Sequence, residues 1–127
     1  MSPDAPDGPL VKRNPAVHPR FYGAYPRVLG RYVREWGVLT LEEAIKKMTS
    51  LGTQRLGLLD RGLIAKGMWA DVTVFDPETS IDKAEYTPPE KSVVYPEGIP
   101  YVIVNGVLTI DEEEHTGALA GKVLRKR

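Results

Sequence analysis

The chain has 127 residues, with 17 basic and 17 acidic side chains, 42% hydrophobic residues and no cysteine. These values exclude internal disulfides and thiolate metal ligands, and they argue against a nucleic-acid binder, which is expected to be basic overall or along one dense face. No apolar run approaches the ~20 residues of a membrane span, and the first residues lack the basic and apolar stretches of a secretory signal. We therefore expect a cytoplasmic protein that binds neither nucleic acid nor membrane.

The first predicted element is a helix over Val28–Trp36. It carries an apolar stripe at helical spacing, formed by Val28, Leu29, Tyr32, Val33 and Trp36. Pro26 suits its first turn, and Gly37 suits the residue just past its end. The residues before it are predicted to form a constrained loop, because Pro19, Gly23 and Pro26 interrupt any regular structure there.

The loop before this helix carries polar and aromatic side chains, namely His18, Arg20, Tyr22 and Tyr25. Many folds present a binding site on such a stiff loop. The alternative is that the aromatic side chains pack in the core, as helical stripes usually do. Both interpretations remain open on the pattern alone.

Two more helices are predicted downstream. Thr40 and Glu43 form a capping box that starts a helix ending near Ser50. A second, short helix, at about Leu51–Leu56, is expected to stop at Gly57.

Strands are predicted after residue 57. Asp71–Phe75 alternates and is rich in β-formers, and Leu63–Ile64 and Val93–Tyr95 are candidates for short strands. The clearest hairpin joins Tyr101–Val104 to Val107–Ile110 through Asn105-Gly106, since Asn-Gly adopts the positive φ of a type I′ turn. Helices followed by strands predict an α+β fold divided near residue 57.

Several blocks of the sequence resemble the D-aminoacylase (N-acyl-D-amino-acid deacylase) family of metal-dependent amidohydrolases. The most specific is His18-Pro19-Arg20, Tyr22-Gly23, Pro26-Arg27-Val28-Leu29-Gly30, Tyr32, Arg34-Glu35. Further blocks follow in the family's order, among them Asp60-Arg61-Gly62, Ala70-Asp71-Val72-Thr73-Val74-Phe75-Asp76-Pro77, Val104-Asn105-Gly106 and Thr116-Gly117. The resemblance covers nearly the whole chain but only the C-terminal part of such enzymes.

The resemblance implies a fold and a reaction. Residues 1–57 would be the last loop and helices of a catalytic (β/α)₈ barrel, and residues 58–127 would belong to a small antiparallel β-sandwich domain. A full barrel needs roughly 200 residues or more, so none can be completed here. The parent reaction is hydrolysis of an N-acyl-D-amino acid by zinc-activated water, with the metal ligands on segments outside this chain. We therefore expect the chain alone to be inactive and to hold no cofactor.

The resemblance also implies roles for individual residues. Family members carry Ser/Thr-Asp-Gly about ten residues before His-Pro-Arg, and that aspartate is the general base of the reaction. Asp7-Gly8 fits this spacing, although Pro6 replaces the usual hydroxyl residue; Asp4 is the competing candidate, and a plain Asp-Gly turn is the structural alternative.

Three residues of the loop are candidates for substrate binding. Arg20 is suited to the substrate carboxylate through a bidentate pair, the alternative being an ion pair with a carboxylate such as Glu35. Tyr22 and His18 are the other two candidates.

No complete metal site is visible in the sequence. His18 and His115 are its two histidines, and they form neither a His-x-His nor a His-Glu-x-x-His motif. We interpret His115, which follows three glutamates, as part of an exposed turn.

The likeness leaves alternatives for the chain's function and partners. It is predicted to form a homo-oligomer or to dock on a barrel-bearing polypeptide, as in a split amidohydrolase. A free-standing interaction module without catalysis is the other alternative.

Overall fold

The computed structural model describes residues 18–86 and 88–125. The first of these residues form a continuous helical stretch: α1 spans Arg20–Arg27, and a π-helical segment, Val28–Glu35, continues it. Helices α2 (Leu41–Met48) and α3 (Ser50–Leu56) follow. The helix is thus longer than predicted, and the prediction of an irregular loop before residue 28 is wrong from Arg20 onward.

The early start of α1 depends on Pro19, whose own backbone is already helical, with φ −51° and ψ −25°. Its carbonyl accepts the N–H groups of Tyr22 and Gly23 at 3.0 Å each. Pro26 lies inside α1 rather than at a helix start. A proline inside a helix interrupts the regular hydrogen-bond ladder. The π-helical segment begins two residues after Pro26. Its wider i→i+5 spacing appears in the hydrogen bond from the Trp36 N–H to the Arg31 carbonyl.

The predicted start of α2 and the predicted stop of α3 are both confirmed. The Thr40 hydroxyl accepts the Glu43 N–H at 3.2 Å, and the Glu43 carboxylate accepts the Thr40 N–H at 3.0 Å. This reciprocal pair satisfies two backbone donors that a helix start leaves free. Helix α3 stops at Gly57, which adopts the left-handed conformation with φ 72°.

A four-stranded antiparallel sheet follows, in the order β1-β2-β3-β4. Its strands are β1 (Val72–Val74), β2 (Tyr101–Val104), β3 (Val107–Asp111) and β4 (Glu114–His115). The predicted hairpin is confirmed, with Asn105 at φ 50° and Gly106 at φ 82°. A bulge places Thr109 between the pairs Val102–Ile110 and Ile103–Leu108, and the Thr109 hydroxyl donates to the Val102 carbonyl at 2.9 Å.

A long excursion separates β1 from β2. It contains a 3-10 turn, Pro89–Ser92, and an isolated bridge between Ile81 and Glu97. The strands expected at Leu63–Ile64 and Val93–Tyr95 do not form. Both stretches are short and apolar, and neither finds a neighbouring backbone to pair with, so propensity alone did not produce a strand.

A network of polar side chains joins the turn of the β2–β3 hairpin to the segments before β1 and after β4. Arg61 pairs with Asp71 and donates to the Asn105 side-chain oxygen at 2.8 Å. The Asp71 carboxylate also accepts the Asn105 N–H at 2.7 Å, while the Asn105 side chain donates to the Ala120 carbonyl at 2.7 Å. Asn105 therefore both makes the turn and joins three segments that are distant in sequence.

The hydrophobic core is small. Among the described residues, Leu29, Ala44 and Ala84 are the buried hydrophobic ones. Large apolar side chains elsewhere remain exposed, including Ile64 at 91%, Val123 at 86% and Leu119 at 84%. Within residues 18–86 and 88–125, no helix is long and apolar enough to cross a membrane.

The hairpin turn gives a stability prediction. Open space surrounds the position that a Cβ atom would take at Gly106, so a substitution there tests φ alone. Gly106→Val should lower the free energy of unfolding by about 1 kcal/mol or more, because a β-branched residue resists positive φ. Gly106→Asn is the control and should lose less, since asparagine tolerates this conformation. Equal urea midpoints for the native chain and Gly106→Val would contradict the turn assignment.

Candidate functional site

The candidate substrate residues lie where α1 begins. His18 precedes the helix, and its Nδ1 accepts the Arg20 N–H at 3.1 Å. Its Nε2 lies 3.2 Å from the Tyr86 hydroxyl, and the two rings meet edge to face with centroids 5.0 Å apart. His18 is therefore held between the helix start and the excursion that precedes β2.

Tyr22 faces the same excursion one turn further along. Its ring meets Tyr95 edge to face, with centroids 5.3 Å apart. An edge-to-face pair of this kind adds specificity to simple burial. The structure thus brings His18 and Tyr22 together along one side of the helix start, each against a tyrosine of the excursion.

Arg20 is exposed and stacks on its neighbour. Its guanidinium carbon lies 5.8 Å from the Phe21 ring centroid, and within the described residues no carboxylate forms an ion pair with it. The alternative pairing with Glu35 is wrong, because Arg31 takes that carboxylate in a bidentate contact at 2.9 and 2.8 Å. This pairing raises the pKa of Arg31. Asp7 and Asp4 lie outside the described residues.

The helix that carries these residues approaches the excursion very closely. Its buried face consists of Gly23, Pro26, Leu29 and Gly30. A Cβ atom added at Gly23 would lie 2.7 Å from the Asp82 Cβ, and one at Gly30 would lie 2.8 Å from the Ser80 carbonyl oxygen. Any larger side chain would force the helix away from the Ser80–Asp82 segment.

Three arginines on the same helix hold that segment. Arg27 pairs with the Asp82 carboxylate at 2.8 Å, and Arg31 lies 3.7 Å from its other oxygen. Arg34 donates to the carbonyls of Pro77 and Ser80, both at 2.9 Å. The Asp82 side chain is only 5% exposed, so its charge must be balanced by these partners.

Asp76 starts the turn that leads into this segment. Its carboxylate accepts the Glu78 N–H at 2.8 Å. That hydrogen bond, the Thr79 hydroxyl and the nearby Arg34 charge lower the pKa of Asp76 below its usual 3.8. The turn is thus built by an ionised carboxylate.

A shallow groove of about 320 Å³ lies beside this contact. Its charged lining residues already have partners: Arg27 and Arg31 meet Asp82, Lys83 meets Glu97 at 3.1 Å, and Glu85 meets Lys91 at 3.2 Å. The groove therefore offers a ligand no uncompensated charge. It is lined by Arg27, Arg31, Ile81, Asp82, Lys83, Ala84 and Glu85.

The described residues do not fit a metal ion. Residues 18–86 and 88–125 contain no group of three or more His, Cys, Asp or Glu side chains placed to hold one. The Nδ1 of His18 is occupied by the Arg20 N–H, and the Nδ1 of His115 accepts the Gly117 N–H at 2.9 Å. A hydrolytic zinc site needs about three protein ligands, which this part of the chain does not assemble.

Sequence reasoning missed the residues that face the helix from the excursion, namely Tyr86, Tyr95 and Asp82. They lie in a stretch without periodicity, so no pattern indicated a common site. Gly23 and Gly30 gave a usable signal: their seven-residue spacing puts two glycines on one helix face, which is typical of close packing.

The close contact between Gly30 and Ser80 lets us predict the effect of adding one methyl group at Gly30. Gly30→Ala should lower the free energy of unfolding by about 1–3 kcal/mol, because the added Cβ meets a backbone carbonyl that cannot move aside. Gly52→Ala is the matched control: it lies within α3 with open space around it, and it should stabilise by about 0.5–1 kcal/mol. Denaturant unfolding measures both, and a Gly30→Ala variant as stable as Gly52→Ala would contradict the packing.

The Asp76 turn predicts a pH dependence. A folded-state pKa below the unfolded value contributes stability above the unfolded value, and this is lost as pH falls through the folded pKa. Asp76→Asn should therefore be less stable than the native chain at pH 7, and the gap between their urea midpoints should narrow as pH falls below about 4. A gap that stays constant down to about pH 2 would show that ionisation of Asp76 does not stabilise the turn.

Comparison with known proteins finds a D-aminoacylase and an N-acyl-D-glutamate deacylase both by sequence and by structure. The chain is 45% identical over 109 residues to an N-acyl-D-glutamate deacylase of Alcaligenes xylosoxydans xylosoxydans, and 44% identical over 109 residues to a D-aminoacylase of the same organism. Each match covers 86% of this chain and 22% of the relative. The chain therefore spans about a fifth of the length of these proteins.

Solved structures agree. A D-aminoacylase structure studied for the functional role of its binuclear metal centre superposes with a TM-score of 0.80 at 42% identity. An N-acyl-D-glutamate deacylase from Bordetella bronchiseptica, in complex with zinc and a phosphonate that mimics the tetrahedral intermediate, superposes with a TM-score of 0.76 at 42% identity. Both matches cover 86% of this chain and 22% of the other. The sequence model of the amidohydrolase family matches residues 13–110, and the chain belongs to that family.

Proposed function

We propose that the chain forms part of a deacylase that hydrolyses the amide bond of N-acyl-D-amino acids. The observation that carries this proposal is the superposition on D-aminoacylase over 86% of the chain. The common position of His18, Arg20 and Tyr22 at the start of α1 supports it, because polar and aromatic side chains gathered at one point of a scaffold are typical of a binding site. The relatives' names include an N-acyl-D-glutamate deacylase and a D-aminoacylase, so the proposal is made for N-acyl-D-amino acids as a class.

The candidate residues would have separate roles in catalysis and in substrate binding. Asp7 is the general base that takes a proton from the attacking water and passes it to the leaving amine. Arg20 binds the substrate carboxylate, which its exposed guanidinium can reach without breaking an ion pair among the described residues. His18 and Tyr22 line the acyl side. The chemistry of a metal-activated water belongs to residues outside those described, since these do not fit a zinc ion.

The two halves of the chain would belong to different parts of such an enzyme. Residues 1–57 would close the catalytic barrel, and residues 58–127 would contribute strands to a small β-sandwich. The division follows the observed change from helices to sheet after Leu56. The observed sheet has four short strands with few buried side chains, and such a sheet needs a second layer to cover it. The rest of a β-sandwich would supply that layer.

The partner of the chain would be an amidohydrolase barrel. The exposed large apolar side chains include Phe21, Trp36, Val38, Leu59 and Ile64, all more than half exposed. Apolar surface of this extent normally marks an interaction surface. The barrel explains it better than self-association, because the relatives at 42–45% identity carry the matching segment as about a fifth of a longer protein.

A chimera tests the function and the choice of base. The matched fifth of the Alcaligenes D-aminoacylase is replaced by this chain, and hydrolysis of N-acetyl-D-amino acids is measured. The chimera should be active, and Asp7→Asn should lower kcat by about a hundredfold or more, the scale of general acid–base catalysis. Asp4→Asn is the matched control and should leave kcat within a few-fold of the chimera. Loss of activity in Asp4→Asn alone would assign the base to Asp4 instead.

A further inference from the structure

Tyr86 is one of the residues at the candidate site to which the sequence assigned no role. It is 69% exposed, and its hydroxyl points at His18 rather than into the body of the protein. The edge-to-face contact with the His18 ring fixes the position of the phenol. A hydroxyl held in this way, yet open to solvent, is available to a ligand.

The hydrogen bonds of His18 determine which way the Tyr86 proton points. His18 Nδ1 accepts the Arg20 N–H, so Nδ1 carries no proton. The neutral imidazole must then carry its proton on Nε2. Nε2 therefore donates to the Tyr86 oxygen at 3.2 Å. The opposite tautomer would set two N–H donors against each other at the helix start.

The Tyr86 hydroxyl is consequently left as a donor. Its oxygen accepts from His18, and its own proton is directed away from the imidazole. A hydroxyl that accepts a hydrogen bond becomes a stronger donor, because the two bonds polarise each other. Its natural partner is an anionic oxygen.

The helix start offers no competing backbone donors. The N–H groups of Arg20, Phe21, Tyr22 and Gly23 are all satisfied, by His18 Nδ1, the His18 carbonyl and, for the last two, the Pro19 carbonyl. The Arg20 guanidinium and the Tyr86 hydroxyl are side-chain donors at this end that can face an anion. We propose that Tyr86 donates a hydrogen bond to the carboxylate of an N-acyl amino acid held by Arg20, with His18 as the positioning residue. This rests on the proposed function and adds a residue to it.

Titration of the ¹⁵N-labelled full chain with N-acetyl-D-leucine and with N-acetyl-D-leucinamide tests the inference. Tyr86→Phe should weaken binding of the carboxylate about tenfold, as expected for one hydrogen bond to a charged group, and should leave the weaker binding of the carboxamide unchanged. Tyr101→Phe is the control, since it removes the hydroxyl of a tyrosine in β2. An unchanged amide spectrum outside the site shows that the variants are folded.

The imidazole ¹⁵N signals give an independent readout. His18 should show a protonated Nε2 and an unprotonated Nδ1, and Tyr86→Phe should move the Nε2 signal. His115 is an internal reference, because its Nδ1 accepts a backbone N–H in the same way, and its signals should stay in place.

The outcomes separate this inference from the proposed function. If Arg20→Gln weakens binding of N-acetyl-D-leucine and Tyr86→Phe does not, the inference is overturned and the carboxylate site at Arg20 stands. Equal weakening of both probes by Tyr86→Phe also overturns it, because the hydroxyl would then not contact the carboxylate. Failure of the native chain to bind N-acetyl-D-leucine at millimolar concentration removes the carboxylate site and the role of Tyr86 together.

Discussion

The contact between the first helix and the Ser80–Asp82 segment is the constraint on which the remaining arrangement depends. Two glycines on one helix face let the backbones meet, and three arginines on the adjoining face hold the segment by its carbonyls and by the Asp82 carboxylate. The close approach at the glycines and the contacts of the arginines depend on each other. A buried carboxylate without its arginines would carry a large desolvation cost, and arginines on a more distant helix would not reach the carbonyls.

This contact also determines which side chains of the excursion lie beside the start of α1. The excursion between β1 and β2 has little regular structure, but its beginning is fixed to the helix at Ser80–Asp82. Its tyrosines are thereby placed against the first turn, where Tyr86 meets His18 and Tyr95 meets Tyr22. A loop held against a scaffold can position functional side chains. The candidate site is thus a consequence of the packing between the helical and sheet halves.

The small core explains why polar contacts carry so much of this structure. With Leu29, Ala44 and Ala84 as the buried hydrophobic residues among those described, apolar burial within the chain contributes little. The network of Arg61, Asp71 and Asn105 holds the hairpin where a larger domain would use packed side chains. Such networks orient segments well, yet each bond is worth only about 1 kcal/mol net. Large apolar side chains such as Ile64 and Val123 remain exposed and add little to the apolar burial.

The sequence by itself determined the features that depend on neighbouring residues. The capping box at Thr40, the helix stop at Gly57 and the Asn105-Gly106 turn follow from local backbone geometry, and all three are present. The family was also readable, because blocks such as His18-Pro19-Arg20 survive intact. Local rules failed at the first helix, where Pro19, Gly23 and Pro26 indicated a loop.

Only the tertiary structure decided that region and the site it carries. Gly23 and Pro26 weaken an isolated helix, but the absence of a side chain at Gly23 permits the close approach to Asp82, and the contacts made there outweigh the local cost. The partners of His18 and Tyr22 lie far along the chain, at Tyr86 and Tyr95, in a stretch without a repeating pattern, so no spacing in the sequence could pair them. Contacts of this kind arise from how the chain returns on itself, which local propensity does not encode.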